Sequence, residues 1–202
     1  MRIGLDFDNT IVCYDQAIAR LADELFRLPE GVPRTKLGLR DFLRTEGREP
    51  EWTAFQGELY GPGMRYAQPF EGAIATMQQL TQEGHELTIV SHRSRFPYAG
   101  RRHDLHHAAQ RWIATRLQPA GIFMSHSKSI HFMESKADKL ARIAKIDCTV
   151  FLDDLPEILE SPEFPSSTVG ILFNPNNDDR KFAQQPVISN WKHLIIKIAE
   201  IS

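Results

Sequence analysis

IGLDFDNTIV, residues 3–12, closes an apolar run with two carboxylates, Asp6 and Asp8, set two residues apart. The apolar part reads as a short buried strand over residues 2–6. Ionised carboxylates this close repel each other, and the arrangement is unfavourable unless a cation or a proton comes between them. The rest of the chain must supply the reason for it.

Outward from that strand, helical and strand patterns alternate. Helical periodicity covers 14–27, 37–46 and 50–60, and PFEGAIATMQQLTQEG (69–84) reads as a helix with a glycine stop. ELTIVS (86–91) is a second buried strand, and a helix follows over about 103–117. IHFME (130–134) is a strand, then comes a helix from Lys136 to about Ile146. CTVFLDD (148–154) and STVGILFN (167–174) are further strands, and NWKHLIIKIAEI (190–201) is a last amphipathic helix. Strands separated by helices pair in parallel through right-handed crossovers, which predicts a doubly wound, Rossmann-like α/β sheet. Residues 15–70 read as a small helical insertion, and 1–14 with 71–202 as the core domain. Such sheets bind ligands at the carboxyl ends of their strands. The strands here end in Asp6, in Ser91 and in Asp153–Asp154.

At 202 residues, 42% hydrophobic and 25% charged, the chain has the composition of a globular domain. A formal charge of -2 gives no electrostatic case for nucleic acid or an anionic membrane as partner. No apolar run approaches bilayer length. The first strand begins at once, which leaves no room for a signal peptide. Cys13 and Cys148 read as free thiols in a reducing compartment, so the expected location is the cytoplasm. Oligomeric state is not legible.

Asp6, Asp8, Asp153 and Asp154 converging in one crevice call for a cation, and oxygen-only ligands favour Mg2+ over zinc or copper. A site with Mg2+, a lysine and a hydroxyl suits a dianionic phosphate, and an aspartate beside it can act as a covalent nucleophile. Asp6-Phe7-Asp8-Asn9-Thr10 resembles the DxDxT signature of the haloacid dehalogenase-like phosphohydrolases. The other family motifs follow in order: Thr88-Ile89-Val90-Ser91, Ser135-Lys136-Ala137-Asp138 and Phe151-Leu152-Asp153-Asp154.

The resemblance implies a role for each position. Asp6 is the expected nucleophile and a metal ligand. Asp8 is the expected general acid and base, protonated when substrate arrives, with its backbone carbonyl on the metal. Thr10 fixes the loop. Ser91 holds phosphoryl oxygens, and His92 or Arg93 contacts the substrate. Lys136, which opens its helix, neutralises developing charge, with Lys139 one turn along as the alternative. Asp154 binds Mg2+ directly, and Asp153 binds it through water or hydrogen-bonds the lysine. Asp8 favours phosphorus chemistry, because dehalogenases of this superfamily need no acid two residues after the nucleophile. One departure stands out: Ile158 occupies the place where many members carry another acid, with Glu157 beside it.

The insertion at 15–70 sits where the family places its C1 cap, which implies a small phosphorylated substrate, a nucleotide or a sugar phosphate. The expected activity is Mg2+-dependent phosphomonoester hydrolysis through an aspartyl-phosphate. A phosphotransferase or mutase on the same scaffold is the alternative, followed by a non-catalytic binding domain. His103, His106 and His107 lie on an amphipathic helix and lack partners for a tetrahedral zinc set. His126 and His131 read as loop and strand edge. Trp52, Phe55 and Tyr60 fall near helical spacing and read as the insertion's own core.

Overall fold

β1 (Arg2–Leu5) pairs in parallel with β4 (Glu86–His92) on one side and with β6 (Val150–Asp153) on the other. With β5 (Ile130–Met133), β7 (Val169–Phe173) and β8 (Val187–Ile188), they form a six-stranded parallel sheet of order β5-β4-β1-β6-β7-β8. This computed structural model describes residues 1–124, 129–176 and 186–201. After β1 the chain builds outward to β4 and β5, then returns to the other side of β1 for β6, β7 and β8. The strand order therefore reverses at β1, and the crevice expected there lies at the ends of β4, β1 and β6.

The sheet is flanked by helices Ala73–Gln82, Lys136–Ile146 and Lys192–Ile201, with a short turn of helix at Pro156–Leu159. Val90, Phe151 and Leu172 pack with Leu140 and Ile143 in a core to which Cys148, Ile158 and Leu159 also belong. Gly4 makes that packing possible: a Cβ there would stand 2.3 Å from Cδ2 of Phe151. The lysine-bearing helix begins where its sequence says, because the Ser135 side chain accepts from the Asp138 N–H at 3.0 Å.

The chain divides into two compact units. The sheet unit comprises Met1–Val12, Pro69–Arg93 and Thr115–Ser202; the helical unit comprises Cys13–Gln68 and Ser94–Ala114. Two-residue strands, β2 (Val12–Cys13) and β3 (Gln68–Pro69), mark the points where the chain first passes between them.

The helical unit holds Asp15–Leu25, Lys36–Thr45, Glu49–Tyr60 and most of Leu105–Arg116. Residues 94–114, expected in the core domain, group with the helices instead. The reason is packing. A Cβ on Gly57 would meet Cβ of Pro97 at 2.9 Å, and one on Gly61 would meet Cβ of His103 at 2.9 Å, so the 94–104 loop lies directly on the helix. Trp112 then donates its indole N–H to the Ala67 carbonyl at 3.0 Å. Trp52 and Phe55 are buried and stacked at 5.7 Å, as a core for this unit requires. Among the described residues, no helix is long and apolar enough to cross a membrane.

Candidate active site

Asp6 leaves the end of β1 with its N–H donated to the Leu152 carbonyl at 2.8 Å, which fixes its backbone against the end of β6. Its carboxylate is almost wholly buried, as is Asp153 on the adjacent strand. Between them stands the ammonium of Lys139, 2.6 Å from Oδ1 of Asp6 and 2.6 Å from Oδ2 of Asp153. The other oxygen of Asp153 accepts from the Leu155 N–H at 2.9 Å. Asp154 completes the group: Asp6, Asp153 and Asp154 each bring a carboxylate oxygen within 4.8 Å of the others.

The loop after Asp6 turns sharply. Asn9 adopts φ 59°, a left-handed conformation that asparagine tolerates better than most residues, and the N–H groups of Ile11 and Val12 both reach the Phe7 carbonyl. The buried indole of Trp191 pins this turn from behind by donating to the Thr10 carbonyl at 3.0 Å. Asp8 emerges from the turn and meets Arg93, whose Nη1 lies 2.6 Å from Oδ1 and 2.8 Å from Oδ2. Two buried hydroxyls, Thr10 Oγ1 and Ser91 Oγ, have no hydrogen-bond partner among the described residues. A buried polar atom without a partner is unfavourable by about 1–3 kcal/mol, which makes Ser91, near the end of β4, a candidate to meet a ligand oxygen.

Burial pushes the Asp6 carboxyl up to about 7; Lys139 pulls it back, and the neighbouring Asp153 and Asp8 carboxylates push it further up. Burial also disfavours the charged form of Lys139, but the carboxylates of Asp153 and Asp6 outweigh it and hold the ammonium well above its ordinary range. Three carboxylates against one ammonium leave the cluster with an excess of negative charge. Hard oxygen donors in a buried, anionic cluster fit a divalent cation of the Mg2+ class. The same cluster sets a buried carboxylate, Asp6, directly against a fixed positive charge, Lys139.

Three of the expected residues meet. Asp6, Asp153 and Asp154 share one cluster, with Ser91 and Thr10 buried at strand and turn ends. The lysine differs. Lys136 is 43% exposed and pairs with Glu157 at 3.1 Å; Lys139 is the one that enters the cluster. Side chains on a helix lean toward its N-terminus, so a lysine one turn inside reaches back to the strand ends, whereas the first residue points out. His92 is exposed, and Arg93 engages Asp8. Ile158, in place of a further acid, is buried in the core. His131 lies on β5, and His126 lies outside the described residues. Trp191 had no sequence signal, since it precedes a helix 181 residues from the carbonyl it binds.

No family model matches the chain. A Bacillus cereus protein described as a "Putative nucleotidase" is 23% identical over 174 residues, covering 80% of each chain. Among solved structures, a haloacid dehalogenase-like family hydrolase from Streptococcus pneumoniae superposes with a TM-score of 0.64 at 12% identity, covering 98% of this chain and 97% of that one. A Bacillus subtilis protein described as a "putative HAD-hydrolase", bound to magnesium, gives 0.63 at 16% identity, again over 98% and 97%. Over nearly its whole length, the chain has the haloacid dehalogenase-like fold.

Proposed function

We propose that the protein is a Mg2+-dependent phosphatase that hydrolyses a small phosphomonoester through an aspartyl-phosphate on Asp6. The observation that carries this reading is Lys139 standing 2.6 Å from both Asp6 and Asp153, with Asp154 in reach of the same cluster. A carboxylate of Asp6 attacks phosphorus while the bond to the leaving oxygen breaks, and Asp8 gives that oxygen a proton. Asp8 then takes a proton from the water that attacks phosphorus, and the bond to Asp6 breaks. Lys139 keeps a fixed positive charge beside the nucleophile throughout, and Ser91 Oγ donates to a non-bridging oxygen. Asp6, Asp154 and the Asp8 backbone carbonyl would hold Mg2+, with Asp153 reaching it through water, and the ion would supply positive charge against the phosphoryl group.

A nucleoside monophosphate is the first substrate class to test, with sugar phosphates second; the description of the Bacillus cereus relative favours that order. A helical insertion between β1 and β4 agrees with a small substrate, since the resemblance ties such insertions to small metabolites. The free thiols of Cys13 and Cys148 suit the cytoplasm. The test is a panel of phosphorylated metabolites with Mg2+, read as released phosphate, for the wild type and Asp6→Asn. The variant should be inactive on every compound the wild type accepts; full activity in the variant overturns the mechanism.

A further inference from the structure

Arg93 follows Ser91 by two residues, where a substrate-binding arginine is the ready expectation, yet its guanidinium is turned onto Asp8. We infer that Arg93 is a positioning residue for Asp8, fixing the direction of its carboxylate, and not a ligand of the phosphoryl group. The inference rests on the proposed phosphatase reading and deepens it.

Three features of the geometry support it. First, one guanidinium nitrogen spans both Asp8 oxygens, at 2.6 and 2.8 Å, so rotation of the carboxylate breaks at least one contact. Second, Arg93 is itself held. It is 4% exposed, and its backbone N–H donates to the Met133 carbonyl at 2.8 Å, which extends the pairing of β4 with β5 one residue beyond His92. Its guanidinium carbon lies 5.8 Å from the centre of the buried Phe7 ring. Third, Asp8 needs outside help. It stands beyond the end of β1, one residue before the left-handed Asn9, and its side chain is 19% exposed, against 6% for Asp6.

The chemistry explains why direction matters. In the first half-reaction the bond between phosphorus and the leaving oxygen breaks, a bond from Asp6 to phosphorus forms, and the Asp8 proton goes to the leaving oxygen. In the second, a water proton goes to Asp8 as the water oxygen bonds phosphorus and Asp6 is released. Asp8 must stay within hydrogen-bond reach of two different oxygens in turn. Misplacement by about 1 Å can cost roughly 100-fold in rate. Arg93 exchanges no proton; arginine stays charged, and its contact fixes where the Asp8 oxygens stand for both steps.

The test is a double-mutant cycle of Arg93→Met and Asp8→Asn, with Mg2+ and two probes. p-Nitrophenyl phosphate has a leaving group that needs little protonation; β-glycerophosphate has an alkoxide that needs it. A positioning role predicts that Arg93→Met lowers kcat on β-glycerophosphate by about 10-fold or more and on p-nitrophenyl phosphate by much less, with KM nearly unchanged. Adding Arg93→Met to Asp8→Asn should then produce little further loss. Arg93→Lys, which keeps the charge but on a flexible stem without the rigid guanidinium plane that aims it, should recover only part of the rate. A KM raised about 10-fold on both probes, with losses that multiply in the double variant, overturns the inference. Two readouts need no turnover. Calorimetry with Mg2+ and inorganic phosphate should give equal affinities for wild type and Arg93→Met, and a crystal structure of that variant should find the Asp8 carboxylate turned away. A large loss of phosphate affinity, or an unmoved Asp8, overturns the inference. If the wild type hydrolyses neither probe, the phosphatase reading fails for them, while these two measurements still decide the role of Arg93.

Discussion

Nζ of Lys139 lies 2.6 Å from Oδ1 of Asp6, delivered from one turn inside the helix that Lys136 opens. The ammonium is the counter-charge for two buried carboxylates, so removing it leaves them facing each other. Lys139→Met, which keeps the chain length, should lower turnover by about 100-fold or more. Without metal it should also destabilise the fold by roughly 3–5 kcal/mol, the usual consequence of removing one partner of a buried pair. Lys136→Met removes only an exposed pair with Glu157, worth about 1 kcal/mol or less, and should leave turnover within about twofold. Equal losses in the two variants, measured side by side as phosphate release and thermal unfolding, would contradict the assignment.

The raised Asp6 carboxyl makes the metal-free protein less stable as pH rises. Its ordinary value is 3.8 and its folded value about 7, chiefly from burial, so between those limits the native state binds more protons than the unfolded chain. Stability from this group is therefore full below about 4 and is lost as pH rises through about 7. The upper bound is about 4 kcal/mol, shared with the neighbouring ammonium. In EDTA, the melting temperature should fall between pH 5 and 7.5 more steeply for wild type than for Asp6→Asn, and Mg2+ should raise it more at pH 7.5 than at pH 5. Parallel pH profiles for the two proteins would rule this linkage out.

Much of this architecture is written in local patterns, and the residues that escape such reading do so for physical reasons. β1, β4 and β6 are apolar runs with Asp6, Ser91 and Asp153 at or beside their carboxyl ends, so a polar residue marks each strand end. Lys136 and Lys139 are different. Each stands at helical spacing from Ile143, so periodicity alone assigns both to the same broad face. Only the cap at Ser135 and the lean of side chains toward the N-terminus separate them. The loop at 94–104 follows a sheet strand in sequence, yet Gly57 on a helix distant in sequence and Gly61 just after it open the space against which the loop packs. Pairings such as Arg93 with Asp8, 85 residues apart, have no periodic trace at all.

Asp153 and Asp154 are neighbours with divided tasks. Asp153 is fully buried and committed to Lys139 and the Leu155 N–H, whereas Asp154 is only partly buried and contributes an oxygen to the three-carboxylate cluster. Asp154→Asn should therefore weaken Mg2+ binding by about 10-fold or more with little change in the melting temperature of the metal-free protein. Asp153→Asn should lower that melting temperature, because it strips a buried ammonium of a partner. Magnesium calorimetry and thermal unfolding in EDTA separate the two; a reversal of the pattern would exchange the roles.

Trp191 and Trp112 offer a matched comparison of what an indole hydrogen bond supports. Each donates to a backbone carbonyl at 3.0 Å, Trp191 to Thr10 in the turn after Asp6 and Trp112 to Ala67 in the helical unit. Phenylalanine at either position keeps most of the apolar contact and leaves a buried carbonyl without its donor, a loss of about 1–3 kcal/mol. For a chain of this length that corresponds to a fall in melting temperature of roughly 2–10 °C, similar for both. The functional consequences should diverge. The Thr10 carbonyl belongs to the turn that sets Asp8, so Trp191→Phe should lower kcat several-fold, by about 1 kcal/mol of barrier, and weaken Mg2+ binding through the Asp8 backbone. Trp112→Phe should leave Mg2+ affinity unchanged. Equal Mg2+ affinities in the two variants would mean that the turn holds its shape without the Trp191 indole.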